Sequence, residues 1–265
     1  MTGHRYVFVG GLHRSGTSLV ARMIASLPQV SAIENAPVPE NEGVYLQGAI
    51  PHTARDGAPM QFATDPAQHH IEGSRYDNLE TRLRIEADWA PYFTDAPWRV
   101  EKSPVNLTRM RLYQQLFPTA QFVVVMRHPE AVAAAAAKWV DQTGAAMIDH
   151  WLEAHDIVAR DLSYLHSVMV LRYEDLVVDP QRAQNRLAAF LQVPETGLRE
   201  PVQDGNQRYA GRLTMTQEQA DRARRWGYAT GMITRPNPLY VRHALRAVRE
   251  ATATCPPSYD TGVSV

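Results

Sequence analysis

The chain has 265 residues, of which 27 are basic and 28 acidic, so its formal net charge is −1. This length allows one large domain or two small ones, and a net charge near zero excludes whole-molecule attraction to nucleic acid or to an anionic membrane. Its single cysteine, Cys255, allows no internal disulfide and no cysteine-based metal site. The longest apolar run falls far short of the ~18 residues of a membrane span, and an apolar strand pattern begins within the first few residues. The sequence therefore predicts a cytoplasmic protein with neither a membrane span nor a signal peptide.

Strand and helix patterns alternate along the first two thirds of the chain. Short apolar runs predict strands over residues 5–10, 98–101, 121–126 and 168–171. Apolar residues at helical spacing predict helices over residues 17–26, 106–116, 129–140, 149–165 and 181–191. Strands separated by helices of this length form parallel sheets that are covered on both faces. The sequence therefore predicts a single α/β domain over residues 1–254, with a P-loop-like parallel sheet flanked by helices, and a flexible tail over residues 255–265.

Two regions depart from this alternation. Residues 33–72 are rich in Pro, Gly, His and Gln and have little periodicity, which is typical of a functional loop when it lies inside a compact domain. Residues 199–250 carry twice as many basic as acidic side chains, which favours either a nearby anionic ligand or a solvated face. The Arg-rich segments 218–230 and 239–250 have helical patterns that fit a lid, a dimer surface or simple exposure to solvent.

The first strand leads into a glycine-bounded loop that precedes a helix. This order brings backbone N–H groups and the positive end of a helix around one point, which suits a phosphate or sulfate group. Gly11 and Gly16 allow the backbone to approach such an anion closely. The side chains that can donate to the anion are Arg14, Ser15, Thr17 and Ser18.

The same loop departs from the nucleotide-binding P-loop pattern. The spacing from Gly11 to Gly16 fits, but Thr17 stands where a lysine is expected, and the cation lies inside the loop at Arg14. Kinases and ATPases of this type place that lysine on the transferred phosphates. An atypical P-loop kinase therefore stays an alternative that the missing lysine does not favour.

The loop Arg-Ser-Gly-Thr-Ser at residues 14–18 resembles the 5′-phosphosulfate loop of the sulfotransferases that use 3′-phosphoadenosine 5′-phosphosulfate (PAPS). An arginine in place of the loop lysine is similar to the tyrosylprotein branch and to several bacterial carbohydrate or lipid branches. A second segment, Phe-Val-Val-Val-Met-Arg-His-Pro at 122–129, resembles the 3′-phosphate motif of that family and implies an anion contact for Arg127. The family usually has a serine where this chain has Ala135, and Lys138 is a candidate substitute.

Two further segments extend the resemblance to residues 7–176. The sequence Glu-Lys-Ser-Pro at 101–104 resembles a family element in which the lysine, here Lys102, faces the transferred sulfuryl group. The sequence Tyr-Glu-Asp-Leu at 173–176 resembles the segment whose tyrosine, here Tyr173, reaches the 3′-phosphate. Residues 206–209 stand where related enzymes have a loop that closes over the nucleotide, which makes Arg208 a candidate phosphate contact.

The resemblance implies an in-line transfer of the sulfuryl group from PAPS to an acceptor hydroxyl, with release of PAP and no metal. Arg14 and Lys102 are then the cationic catalytic groups, and the acceptor hydroxyl needs a general base. Glu34 is the first candidate, because it stands roughly where the tyrosylprotein-type branch has its catalytic glutamate. The rival bases are Glu40, Glu42, His13 and His52.

The acceptor is predicted to be a carbohydrate, a glycolipid or a small metabolite, and the protein a bacterial enzyme that forms a homodimer or acts alone. A module that binds PAP or PAPS without turnover is a further alternative, which Ala135 favours and the retention of Lys102 opposes.

Overall fold

The structure is a computed structural model, which describes residues 3–53 and 60–258. Its centre is a six-stranded sheet whose first five strands in chain order run parallel. These are β1 (Arg5–Gly10), β2 (Val30–Ala32), β3 (Trp98–Lys102), β4 (Gln121–Met126) and β5 (Val168–Arg172). A separate ribbon is formed by β6 (Tyr228–Ala229) and β7 (Ile233–Thr234), and β8 (Tyr240–Arg242) pairs antiparallel with β5 at the edge of the main sheet. The order across the main sheet is β2-β3-β1-β4-β5-β8.

Helices cover both faces of this sheet. They are α1 (Thr17–Ala25), α2 (Gly43–Leu46), α3 (Leu79–Trp89), α4 (Met110–Leu116), α5 (Pro129–Ala136), α6 (Gly144–Asp161), α7 (Tyr173–Val178), α8 (Pro180–Leu191), α9 (Gln217–Ala223) and α10 (Arg246–Thr254). Every residue of β4 and of β5 is buried, as expected for central parallel strands. None of the described helices combines the length and the apolar composition needed to cross a bilayer.

Alternate residues of the strands point into two separate cores. Tyr6, Phe8 and Phe122 face the side that is covered by α3, α4 and α6. Val7 and Val123 face the opposite side, which is covered by α1, α8 and α10. This alternation follows from the two-residue period of a strand, which sets the face of the sheet on which each side chain lies.

The sheet order places β1 between β3 and β4. The chain leaves β1 toward the β2–β3 side and returns to the other side at β4, so the carboxyl end of β1 is a topological switch point. In open α/β sheets, ligands bind in the crevice at such a point. The loops that follow β1, β3, β4 and β5 therefore meet at one edge of the sheet.

The predicted α/β class with a single domain and a predominantly parallel sheet is confirmed. Both Arg-rich segments differ from the expected helices: in the segment 218–230, α9 ends at Ala223 and Tyr228–Ala229 is a strand. The segment 239–250 was expected to be helical, but Tyr240–Arg242 is a strand, and α10 begins only at Arg246. Tyr240 and Arg242 are exposed, whereas Val241 between them packs on the core. Alternate burial at a sheet edge thus outweighs the helical pattern in this short segment.

The first residues of the predicted tail are held against α8. Arg182 Nε donates to the carbonyl oxygen of Cys255 at 2.7 Å, and the Ser258 N–H donates to Asp179 Oδ2 at 2.9 Å. Residues 259–265 of the tail, and residues 54–59 of the long predicted loop, lie outside the described residues.

Candidate active site

The loop between β1 and α1 forms a narrow cradle at the sheet edge. A side chain at Gly11 would collide with the carbonyl oxygen of Val125 at the end of β4, so this position requires glycine. Gly16 caps α1 with a φ of 100°, and a Cβ there would lie 2.9 Å from the Tyr173 ring. The nine-residue helix α1 points its first N–H groups at this cradle. The buried Ser15 hydroxyl has no hydrogen-bond partner within the described residues, so the cradle offers a donor for an anion.

Arg14 projects from the same loop into a cavity of about 330 Å³. Its guanidinium lies 5.0 Å from the ring centre of Trp139, and Nη2 donates to the Tyr209 hydroxyl at 3.3 Å. The predicted loop residues Gly16, Thr17 and Ser18 line the same cavity, together with Glu40 and Glu42. The structure therefore brings the predicted phosphate-loop residues together around one space.

Lys102 enters the site from the end of β3. Its side chain is 8% exposed, and its Nζ lies 2.9 Å from Glu42 Oε1. Burial raises the pKa of Glu42 to about 7, and the neighbouring ammonium of Lys102 opposes that rise. A buried cation and a carboxyl group of unusual proton affinity thus stand in direct contact beside the loop.

Arg127 follows β4 and lies beside the phosphate loop. Its Nη1 donates to the carbonyl oxygen of Arg14 at 3.0 Å, and its Nε donates to Asn206 Oδ1 at 2.7 Å. Its Nη2 is buried and has no hydrogen-bond partner within the described residues. The guanidinium also lies 4.4 Å from the ring centre of Tyr173. The structure thus brings the predicted pair Arg127 and Tyr173 together and leaves one arginine donor for an anion.

The Tyr173 hydroxyl already makes two hydrogen bonds in this structure. It donates to the carbonyl oxygen of Gln203 at 3.1 Å and accepts from the N–H of Gly205 at 2.7 Å. The phenol therefore fixes the segment 203–206 against the phosphate loop, beside Arg127.

Two contacts of the predicted closing loop 206–209 with the arginines of the site were missed by the sequence analysis. Arg208 is exposed, whereas its neighbour Tyr209 contacts Arg14 and lies 5.4 Å from the guanidinium of Arg127. The hydrogen bond from Arg14 holds the pKa of the Tyr209 phenol below its usual range. Asn206 bridges Arg127 and Glu174, to which its Nδ2 donates at 2.9 Å. The loop 206–209 was predicted from the sequence to close over a nucleotide, but Arg208 was chosen within that loop rather than Asn206 or Tyr209.

The predicted bases occupy different places. Glu34 is exposed and borders a second cavity, of about 320 Å³, which Lys102 and Glu40 also line. Glu40 Oε2 accepts from the Ser18 hydroxyl at 3.3 Å, at the start of α1. Among the three candidate glutamates, Glu42 is the one that accepts a hydrogen bond from Lys102.

The two histidines among the predicted bases lie deeper in the structure. Burial and the charge of Lys102 lower the pKa of His13 to about 4. The His52 ring packs between Tyr45 and Phe62, with ring centres 5.6 and 6.3 Å away.

The predicted substitute Lys138 shares an aromatic neighbour with Arg14. Its Nζ is 5.4 Å from the ring centre of Trp139, the same indole that contacts Arg14, while Ala135 is buried in α5. Within residues 3–53 and 60–258, no group of three or more His, Cys, Asp or Glu side chains could hold a metal ion.

This fold and site define a class of protein: an α/β protein whose phosphate-type loop and neighbouring strand-end cations are suited to an anionic ligand. The chain belongs to the sulfotransferase family, whose model matches residues 6–197.

Two relatives and two solved structures illustrate the similarity. The protein-tyrosine sulfotransferase of Drosophila melanogaster is 26% identical over 212 residues, which cover 71% of this chain and 38% of that protein. Protein-tyrosine sulfotransferase A of Caenorhabditis elegans is 24% identical over 198 residues, which cover 71% of this chain and 50% of that protein. The chain thus spans half or less of the length of these curated relatives.

Among solved structures, sulfotransferase STF1 from Mycobacterium tuberculosis has a TM-score of 0.47 and 17% identity, over 73% of this chain and 68% of that chain. The sulfotransferase domain of the Synechococcus olefin synthase has a TM-score of 0.45 and 16% identity, over 94% of this chain and 93% of that chain.

Proposed function

We propose that this protein transfers a sulfuryl group from PAPS to an acceptor hydroxyl and releases PAP. The observation that carries this proposal is the placement of two cationic side chains, Arg14 and Arg127, at one site: Arg127 Nη1 donates to the backbone carbonyl oxygen of Arg14 at 3.0 Å. A donor with phosphate groups at both ends of a nucleoside needs two such positions. Two buried donor atoms, Ser15 Oγ and Arg127 Nη2, have no hydrogen-bond partner in the described structure. Both can donate to oxygens of these phosphate groups.

The two ends of the donor are assigned to different elements. The 5′-phosphosulfate lies in the loop, where the N–H groups at the start of α1, the hydroxyls of Ser15, Thr17 and Ser18, and Arg14 donate to it. The 3′-phosphate lies against Arg127 and Tyr173. Arg208, predicted as a phosphate contact without assignment to either end, stays a prediction.

Lys102 supplies the mobile positive charge next to the reacting sulfur. In an in-line displacement, the protein mainly positions the partners and stabilises the negative charge that spreads over the sulfuryl oxygens. A compact ammonium on a flexible stem follows that charge better than a planar guanidinium does. The general base stands on the acceptor side, where Glu34, Glu40 and Glu42 border the cavities next to Lys102.

The acceptor is proposed to be a hydroxyl of a carbohydrate, a glycolipid or a small metabolite. Trp139, which is 44% exposed, offers an indole at the cavity, and the carboxylate of Glu40 offers hydrogen-bond acceptors. Such groups suit the faces and hydroxyls of a sugar ring. A location in the cytoplasm and assembly as a homodimer stay predictions from the sequence.

A thermal-shift titration tests the donor. PAP at 100 times its dissociation constant is expected to stabilise the protein by about 2.7 kcal/mol without any metal. ADP, which lacks the 3′-phosphate, is expected to stabilise it much less, and ATP with magnesium no better than ADP. A shift with ATP and magnesium alone contradicts the proposal and supports the atypical kinase. PAP binding without any cleavage of PAPS supports the non-catalytic module.

The Tyr209→Phe variant tests the closing segment. It removes the hydroxyl that accepts from Arg14 and keeps the ring beside Arg127, so PAP affinity is expected to fall about fivefold, the equivalent of one hydrogen bond of ~1 kcal/mol. The measurement is the dissociation constant of PAP by titration calorimetry, with the exposed Tyr164→Phe as the matched control. Equal affinity in wild type and Tyr209→Phe contradicts a role for this contact in donor binding.

A further inference from the structure

We propose that Glu42 is the general base that takes the proton from the acceptor hydroxyl, an assignment that rests on the sulfuryl transfer proposed above. The carboxylate stands 2.9 Å from Lys102 Nζ, the group assigned to the transferred sulfur. The attacking oxygen must lie next to that same sulfur, so a base that touches Lys102 is within reach of the proton. Glu42 also lines the cavity that Arg14 enters.

The backbone next to Glu42 is fixed by the strand that carries Lys102. The N–H of Gly43 donates to Glu101 Oε1 at 2.9 Å, and the carbonyl oxygen of Gly43 accepts from Trp89 Nε1 at 2.8 Å. A side chain at Gly43 would lie 2.8 Å from both partners, so the backbone can approach β3 only with glycine at this position. Glu101 and Lys102 are neighbours in β3, which fixes the distance between base and cation.

Glu101 itself is held rigidly. It is 1% exposed, and its carboxylate also accepts from the Ser103 hydroxyl at 2.5 Å and from Asn106 Nδ2 at 2.6 Å. With the bond from Gly43, both carboxylate oxygens are occupied inside the protein. We therefore regard Glu101 as a positioning residue and Glu42 as the group that exchanges a proton.

The charges around Glu42 match the needs of a base that works near neutral pH. Burial raises the pKa of Glu42 to about 7, Lys102 lowers it, and the carboxylates of Glu101 and Glu40 raise it further. A base is most effective when its pKa lies near the working pH. The neighbouring His13 has a pKa lowered to about 4, so it is neutral and a weaker base.

The other two carboxylates are less suited to the role. Glu34 is exposed to solvent, and Glu40 accepts from Ser18 at the start of α1, on the side of the phosphate loop. The carboxylate of Glu40 is thus already engaged by a hydroxyl of the phosphate loop.

Sulfuryl transfer forms one bond to sulfur and breaks another. The acceptor oxygen forms a bond to sulfur while the bond from sulfur to the oxygen of the 5′-phosphate breaks, and that electron pair leaves with PAP. The acceptor proton passes to Glu42 and then to solvent.

Donor binding alone, without an acceptor, is expected to change the protonation of Glu42. Donor binding brings negative charge next to Glu42 and draws Lys102 toward the sulfuryl group, and both changes raise the pKa of Glu42. A carboxyl group with a pKa of about 7 is half protonated at pH 7. At pH 7, PAPS binding is therefore expected to be accompanied by the uptake of at most about half a proton per protein molecule, which binds to Glu42.

The experiment is calorimetric titration of the full chain with PAPS at pH 7 in buffers of different ionisation enthalpy. The variants are Glu42→Gln, Glu34→Gln and, as a matched control on the exposed face of α6, Glu153→Gln. Proton uptake is expected in wild type, Glu34→Gln and Glu153→Gln, and is expected to be lost in Glu42→Gln. Uptake that persists in Glu42→Gln, or that is lost in Glu34→Gln, overturns the assignment.

The second readout is cleavage of radiolabelled PAPS in a single turnover, with water as the acceptor. Glu42→Gln is expected to slow cleavage about 100-fold, and the wild-type rate is expected to rise with pH through a pKa above 7 that this variant lacks. An unchanged rate and pH profile in a folded Glu42→Gln protein overturns the assignment even if PAPS binds. Failure of the wild-type protein to bind PAPS overturns the proposed function instead, so the two failures are distinct.

Discussion

Replacing Lys102 by alanine is expected to lower the rate of sulfuryl transfer about 1000-fold, the upper range for losing one preorganised stabilising group. The affinity for PAP is expected to change far less, because PAP lacks the sulfuryl group to which we assign this ammonium. The measurement is single-turnover cleavage of PAPS, paired with calorimetric titration of PAP. A large loss of PAP affinity with an unchanged rate contradicts the assigned role.

The Lys102→Ala variant can lose activity either because the positive charge is missing or because the protein is less stable. Removing Lys102 leaves the carboxyl group of Glu42 buried without its cation, and such a change destabilises proteins. The pKa of Glu42 then rises further, which at pH 7 converts the carboxyl group mainly to its neutral form. The melting temperature of each variant shows whether the fold persists.

Two comparison variants sharpen the result for Lys102. Lys102→Arg keeps the charge but replaces a mobile ammonium with a planar fork, so only partial activity is expected. Lys138→Ala removes the other lysine of the chain, at the exposed rim near Trp139, and is expected to change the transfer rate far less.

Replacing Arg127 by alanine is expected to weaken PAP binding about 100-fold, which corresponds to ~2.7 kcal/mol for a charge-assisted contact to phosphate. AMP, which lacks the 3′-phosphate, is expected to bind wild type and variant with similar affinity. The selectivity for PAP over AMP should therefore collapse. Calorimetric titration of both ligands measures this directly.

The Arg127 test also has a structural control. Arg127 donates to the Arg14 carbonyl oxygen and to Asn206, so the test must distinguish the loss of a phosphate contact from a loosened loop. Loosening alone would weaken AMP and PAP to the same extent, whereas loss of a 3′-phosphate contact weakens only PAP. Arg160→Ala, on the exposed last turn of α6, is the matched control for the removal of a guanidinium.

The central strands were predicted from the sequence because their signal is local. β4 and β5 are buried along their whole length, so each is written as a continuous apolar run. The loop after β1 was equally visible, since close packing against β4 requires glycine at Gly11. By contrast, β2 has three residues, and α3 exposes Leu79 and Leu83, so neither shows the pattern of a buried element.

The sequence by itself determined the parallel α/β sheet and placed Arg14, Lys102, Arg127 and Tyr173 at or just beyond the ends of its strands. Parallel strands end at one edge, so these four positions follow from the order of the elements.

Tertiary structure alone decided which side chains meet across the site. The contact of Lys102 with Glu42 spans 60 residues of chain, and that of Arg14 with Tyr209 spans 195. Such contacts depend on how loops pack, and the pKa of Glu42 depends on burial that no local pattern encodes. For this reason the sequence could not distinguish among the candidate glutamates. Only the tertiary structure shows that one of them, Glu42, is buried beside Lys102.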